Sequence, residues 1–163
     1  MKFGLMYANA GPFAFPEMLT HLATTAERCG VESLWVVEHV VIPVGYESTY
    51  PYDPSGKIPA PEQVPMPDPL IALAYAAGIT STIKLATGIL ILPQRNPLYL
   101  AKEVASLDVL SHGRMILGIG IGWLKEEFDA LKTPDFERRG AVTDEWLAIF
   151  KQLWTTSPAT FKG

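Results

Sequence analysis

The sequence predicts an α/β protein built on a parallel sheet, and three observations predict it. Short, continuously apolar runs alternate with helix-patterned segments along the 163-residue chain. The apolar runs lack the in-out alternation of a sheet with one wet face, so they read as strands covered on both sides. Most junctions carry local signals, a proline opening a helix or a glycine following its end. The resulting order is β-α repeated four times.

The elements follow in turn. Lys2 to Tyr7 is an apolar run and a first strand, and Asn9 to Phe15 is a Gly/Pro loop. Pro16 and Glu17 open a helix with Leu19, Leu22, Ala23 and Ala26 on one face, and Gly30 falls where a left-handed cap belongs. Ser33 to Val37 is a second buried strand ending at Glu38-His39. The stretch 43–67 is rich in Pro and Tyr and lacks periodicity, which predicts a long loop after strand two. Asp68-Pro69 then caps and opens a helix to about Ile79. Lys84 to Leu92 is a third strand, and Asn96-Pro97 repeats the capping signal. The helix that follows carries Leu100, Val104, Leu107 and Leu110, and Ser111-His112-Gly113 ends it. Met115 to Gly120 is a fourth strand. Thr133-Pro134 opens a last helix striped by Val142, Trp146, Ile149 and Leu153. Ala159 to Gly163 reads as the start of a further element.

Bulk properties narrow the function. The chain is near the size of one domain and shows no composition break, so residues 1–163 read as part of a single domain. A formal net charge of -4 argues against a nucleic-acid partner, which needs a basic stripe. The single cysteine, Cys29, cannot form an internal disulfide, which suits a reducing compartment. No signal peptide is expected from the Met1-Lys2-Phe3 start, and no apolar run approaches the roughly 20 residues that span a bilayer. A cytoplasmic protein with no membrane partner is expected.

In α/β proteins of this order, ligands bind at the C-terminal ends of the strands. Glu38-His39 ends the second strand, so His39 either hydrogen-bonds a ligand and shuttles a proton or merely bonds a neighbouring loop. Thr87-Gly88-Ile89 puts a glycine into a strand, which marks a bulge toward a ligand or a kink for packing. Gly118, Gly120 and Gly122 alternate, so in a continuous strand they share one face that accepts a flat ring or tight packing. Trp123 follows, as a pocket wall or a packing residue. Tyr46, Tyr50 and Tyr52 cover a ligand or anchor their loop. Arg114 with Asp108 suggests an ion pair at a helix end, and Glu126-Glu127 and Arg138-Arg139 suggest solvated faces. No metal is expected, because His21, His39 and His112 include no pair at ligand spacing on one face. A nucleophile elbow and a phosphate-binding P-loop are absent, and the glycine spacing does not fit the dinucleotide fingerprint.

Taken together, these segments resemble the luciferase-like flavin and deazaflavin oxidoreductases, closest to the coenzyme F420-dependent branch. The resemblance rests on Leu34-Trp35-Val36-Val37-Glu38-His39, on Ala86-Thr87-Gly88-Ile89 through Arg95-Asn96-Pro97, and on Leu107 to Arg114. It continues in Gly118 to Trp123, Glu127-Phe128, and Arg138-Arg139-Gly140 to Asp144-Glu145.

The resemblance implies a TIM (β/α)8 barrel of which this chain supplies the first four β/α units, a half-barrel, since eight units need about 250 residues. It implies His39 and Glu38 as catalytic residues. It also implies Thr87, Gly88, Ile89, Gly120, Gly122 and Trp123 as cofactor-binding, with a bulge at Gly88-Ile89 that often carries a non-prolyl cis peptide. Trp123 stands where some deazaflavin dehydrogenases carry a glutamate proton donor, so this position offers no acid. The implied activity is hydride transfer with coenzyme F420 on a small organic substrate. An FMN-dependent monooxygenase and an inactive truncated half-barrel are the alternatives. A homodimer, or association through exposed sheet edges, is the expected assembly.

Overall fold

Strands β1 (Gly4–Leu5), β2 (Ser33–Val36), β3 (Lys84–Thr87), β4 (Leu90–Ile91), β5 (Met115–Ile116) and β6 (Ile119–Gly120) punctuate the chain. Between and after them run helices α1 (Pro16–Arg28), α2 (Pro69–Ile79), α3 (Pro97–Leu110), α4 (Lys125–Leu131) and α5 (Arg139–Thr155). The computed structural model describes residues 1–163. The main sheet has the order β1-β2-β3-β5, and its neighbours pair in parallel. The expected α/β fold with a parallel sheet is therefore present.

The chain divides into two compact units. The first comprises Met1–His39, Val64–Leu90 and Glu103–Ile119. The second comprises Val40–Gln63, Ile91–Lys102 and Gly120–Gly163.

In the first unit the register sets the two faces of the sheet. Leu34 lies opposite Leu85 and Val36 opposite Thr87, whereas Trp35 lies opposite Ala86. Leu34, Val36, Leu85 and Thr87 are buried, as are Leu19, Ala23 and Ala26 of α1 and Leu73 and Ala76 of α2. Side chains alternate across a strand, so Trp35 points to the other face with Met6, Gly88 and Ile116. On that face Met6 is 48% exposed and Ile116 38% exposed.

The helix signals act as the sequence predicts. Gly30 adopts φ +74° two residues past the end of α1. The Asp68 carboxylate accepts the N–H groups of Leu70 and Ile71 at 2.9 and 3.1 Å, and Pro69 opens α2. Asn96 does the same for Leu98 and Tyr99 at 3.0 and 3.3 Å. Such caps satisfy amides that the first helical turn leaves without partners. Leu100, Val104 and Leu107 are buried, but Leu110 is 77% exposed and leaves the expected stripe.

Glu27, near the end of α1, grips the turn before β3. Its carboxylate accepts the amides of Ser81, Thr82 and Ile83 and the Thr82 hydroxyl. Desolvation raises its pKa, but these hydrogen bonds outweigh it and hold the group down at about 2.

The third and fourth strands differ from expectation. Lys84 to Leu92 splits into β3 and β4, and Met115 to Gly120 splits into β5 and β6. The cause is a side chain inserted into the ladder. The Thr87 hydroxyl donates to the Gly118 carbonyl at 2.7 Å, and the Gly118 amide donates to that hydroxyl at 2.9 Å. The hydroxyl so bonds the amide of Gly118 and shares its carbonyl with a main-chain donor. Pairing resumes beyond it, with the Leu90 amide donating to the Gly118 carbonyl at 3.0 Å.

Asp108 and Arg114 are not the predicted ion pair. The Asp108 carboxylate accepts the Met115 amide, while Arg114 donates to the Ser111, Ile83 and Ala77 carbonyls and the Thr80 hydroxyl. The buried guanidinium thus ties the ends of α2 and α3 together.

In the second unit, residues 43–63 of the predicted loop contain neither helix nor strand. The last long helix starts at Arg139 rather than Thr133, preceded by α4, which periodicity did not reveal. Seven residues are too few for a readable 3.6-residue repeat. Along α5, Thr143 and Phe150 are buried, and Leu153 of the predicted stripe is 38% exposed. No helix is long and apolar enough to cross a membrane.

Candidate functional site

Two neighbouring strands of the first unit deliver the predicted residues to one end of the sheet. The Gly88 amide donates to the Val36 carbonyl at 2.7 Å, extending the β2–β3 ladder one step past Thr87. Glu38-His39 leaves the end of β2, and Gly88-Ile89 leaves the end of β3. Glu38 is buried, His39 is half-buried and Ile89 is 38% exposed.

Asn9 fixes the approach to Glu38-His39, and sequence reasoning missed it. It is completely buried. Its side-chain oxygen accepts the Val37 amide at 2.8 Å, and its nitrogen donates to the carbonyls of Val37 and Pro67 at 2.8 and 2.9 Å. One carboxamide thereby imitates a strand neighbour for Val37 and ties it to the entry of α2. In the sequence Asn9 lies in a loop, two residues before a Gly-Pro pair, so nothing local marks it.

At the end of β3 each residue has a distinct place. The peptide bond between Gly88 and Ile89 is cis, in keeping with the resemblance. A Cβ on Gly88 would lie 3.0 Å from Cε3 of Trp35 and 3.3 Å from Cε of Met6, so the site holds main chain where any other residue would project. Thr87 is completely buried and its hydroxyl serves Gly118. Its part in the site is to fix where Gly88 emerges.

The three alternating glycines do not form one smooth face. Alternation requires an unbroken strand, and the strand is interrupted between Ile116 and Ile119. Gly118 is pressed on β3, where a Cβ would fall 2.1 Å from the Thr87 carbonyl oxygen. Gly120 ends β6. Gly122 adopts φ +78°, and a Cβ there would lie 2.7 Å from the ring of Phe128 and 2.9 Å from Cγ2 of Ile91.

The second unit binds its long loop through Trp123 and α4. The rings of Tyr46 and Tyr50 meet Trp123 edge to face at 5.5 and 5.1 Å between centroids. The Lys57 ammonium lies 4.0 Å from the centroid of the Tyr46 ring and donates to the Tyr46 carbonyl. Tyr46 and Tyr50 therefore anchor the loop.

Glu126 and Glu127 are clamps and not a solvated face. Glu127 is completely buried, and its carboxylate accepts the amides of Val40 and Val41 at 2.7 and 3.1 Å. Glu126 accepts the amides of Glu47 and Ser48 and the Ser48 hydroxyl. Arg139 likewise departs from a solvated role, donating to the Gly122 and Phe136 carbonyls and lying 3.8 Å over the Phe136 ring.

For Glu126, desolvation raises the pKa, but the Ser48 hydroxyl and the amides of Glu126, Glu47 and Ser48 outweigh it and bring the group to about 2. A depressed carboxylate stabilises the fold above its ordinary pKa of 4.5, and that contribution is lost as pH falls through about 2. Hydrogen exchange at the Glu47 and Ser48 amides is expected to show this protection. Glu126→Gln should lower it about tenfold at neutral pH, the worth of one charge-assisted hydrogen bond. It should also flatten its dependence between pH 5 and 2. Equal protection in the variant would show that the clamp does not hold the loop.

Two surface depressions mark the second unit. One, of about 260 Å³, is lined by residues that include Lys125, Phe128, Asp135 and Phe136, and the other, of about 410 Å³, by residues that include Leu98, Ile149, Leu153 and Phe161. Neither is lined by Glu38, His39 or the Gly88 turn. No cluster of three or more His, Cys, Asp or Glu side chains is arranged to hold a metal ion.

Fold and strand-end geometry define an α/β protein with a helix-packed parallel sheet whose strand C-termini carry an acid, an imidazole and bare main chain. The chain belongs to the luciferase-like monooxygenase family, whose sequence profile matches residues 3–163. An uncharacterized protein of Mycobacterium tuberculosis is 35% identical over 163 residues, which are 100% of this chain and 56% of that protein. The F420-dependent glucose-6-phosphate dehydrogenase of Kineococcus radiotolerans is 32% identical over 158 residues, 96% of this chain and 42% of that enzyme. The crystal structure of the monooxygenase RslO1 from Streptomyces bottropensis superposes with a TM-score of 0.76 at 28% identity, covering 100% of this chain and 46% of that one. The chain spans about half the length of the curated relatives it matches.

Proposed function

We propose that the protein to which this chain belongs is an oxidoreductase that transfers hydride with coenzyme F420 on a small organic substrate. In this reading the chain contributes the first four units of a TIM-type barrel. One observation carries it. The open end of the sheet offers Gly88, beside a Trp35 ring that a Cβ would meet in tight contact at 3.0 Å, next to the strand that delivers Glu38-His39. A flat ring needs a surface without projecting side chains, and Gly88 with the exposed Ile89 peptide supplies one.

Coenzyme F420, when bound, supplies a ring that takes up or gives a hydride as an electron pair. The chain's own residues do the rest. The main chain at Gly88 and Ile89 backs the ring. His39 would hold a hydrogen bond at the reacting end and give or take the proton of the substrate's oxygen or nitrogen. Asn9 holds Val37, and with it the start of Glu38-His39, in place. Ile89 keeps water from that side of the ring.

A second reading, an FMN-dependent monooxygenase, draws support from the family's description and from the likeness to the Streptomyces enzyme. Parallel titrations with coenzyme F420 and FMN separate the two, and oxygen uptake accompanies turnover only in the second. Saturable binding of neither would leave an inactive half-barrel. His39→Ala is expected to lower turnover about a hundredfold with an unchanged melting midpoint. Unchanged turnover would make His39 a rim residue only.

A further inference from the structure

The largest side chain on the open face of the sheet belongs to Trp35. Its indole runs along the strands and not straight out from them. At one end Nε1 donates to the Ser33 hydroxyl at 2.8 Å. A Cβ on Gly4 would fall 2.5 Å from that same nitrogen, so β1 supplies a glycine where the indole lies against it. The opposite edge reaches the strand ends. Cε3 would lie 3.0 Å from a Cβ on Gly88, and Cζ3 would lie 3.8 Å from one on Gly118. Glycines on three segments thus leave the room that one indole fills. The polar N–H is spent on Ser33, toward the start of the strands, and only ring carbons face Gly88.

We infer that Trp35 is a specificity-determining residue, its benzo edge forming the apolar floor on which the ligand's flat ring rests and so setting how deep that ring can enter. The inference rests on the reading of Gly88-Ile89 as the ring site. It goes beyond that reading because Trp35 is one strand over and is not among the residues assigned to the cofactor. The physical grounds are the contact geometry and the alternation of the strand. Trp35 shares its face with Gly88, and Leu34 and Val36 do not. The Ser33 bond fixes the side chain in one orientation, so the floor is rigid before a ligand arrives.

The test is an equilibrium titration of the chain with coenzyme F420 and with FMN. The dissociation constant is read together with the shift of the ligand's visible absorption band and the quenching of tryptophan fluorescence. Trp35→Leu is expected to weaken the ligand that the parent chain binds about tenfold, by removing some 60 Å² of apolar contact, and to abolish most of the band shift. Ser33→Ala, which keeps the indole but frees it, should weaken binding about threefold. Trp35→Phe, with a ring of shorter reach, carries the same comparison if Trp35→Leu does not melt cooperatively. Unchanged affinity and band shift in the Trp35 variant, with the parent chain binding normally, overturn the floor assignment and leave the ring site standing. No saturable binding by the parent chain overturns both.

Discussion

Replacing Arg114 with methionine is expected to destabilise the chain by about 4 kcal/mol, seen as a lower urea midpoint with an unchanged slope. Arg114 is 5% exposed. Nε donates to the Ser111 carbonyl at 2.7 Å, and Nη2 to the Ala77 carbonyl at 2.9 Å. Nη1 donates to the Thr80 hydroxyl at 2.8 Å and to the Ile83 carbonyl at 3.3 Å. Ala77 sits in the last turn of α2, where the helix dipole is negative, so the cation is favoured there without a carboxylate. Methionine fills much of the volume but donates nothing, and buried acceptors lose a charged partner at once. Asp108→Asn, by contrast, should cost little, because the Asp108 carboxylate accepts the Met115 amide at a long 3.3 Å and an asparagine oxygen can do the same. A midpoint unmoved in Arg114→Met would show that water reaches those carbonyls.

Gly118→Ala is the second large effect, expected at about 3 kcal/mol or more. The added methyl would stand 2.1 Å from the Thr87 carbonyl oxygen and 3.3 Å from its carbon. These are main-chain atoms of β3 and cannot swing aside. Relief requires moving Thr87, which breaks the paired hydrogen bonds between the Thr87 hydroxyl and Gly118. Gly88 would move with it, so binding at the strand ends should fall together with the melting midpoint. Gly140 is the internal control. Nothing lies within 4 Å of a Cβ there, and the residue is in α5, so Gly140→Ala should stabilise by about 0.5–1 kcal/mol. Equal effects at the two positions would show that the clash at Gly118 is absorbed.

The candidate site was legible only in part. Glu38-His39 could be named because it ends an apolar run, and strand ends are where α/β proteins bind ligands, and Gly88-Ile89 because a glycine interrupts one. Asn9 could not, because its value lies in meeting Val37 and Pro67, 28 and 58 residues away. Glu126 and Glu127 read as solvent-facing because adjacent carboxylates usually are. Their partners are loop amides more than 75 residues earlier, which no local window contains.

What the sequence determined by itself is the alternation of elements and the limits of α1, α2 and the start of α3. These follow from interactions within a few residues, such as Asp68 and Asn96 accepting the amides of the turn they open. Tertiary structure alone decided where the third and fourth strands break, which acids are buried and what lies on the open face of the sheet. Each of those outcomes depends on groups that only folding brings within contact distance, as when the Thr87 hydroxyl bonds the amide and the carbonyl of Gly118.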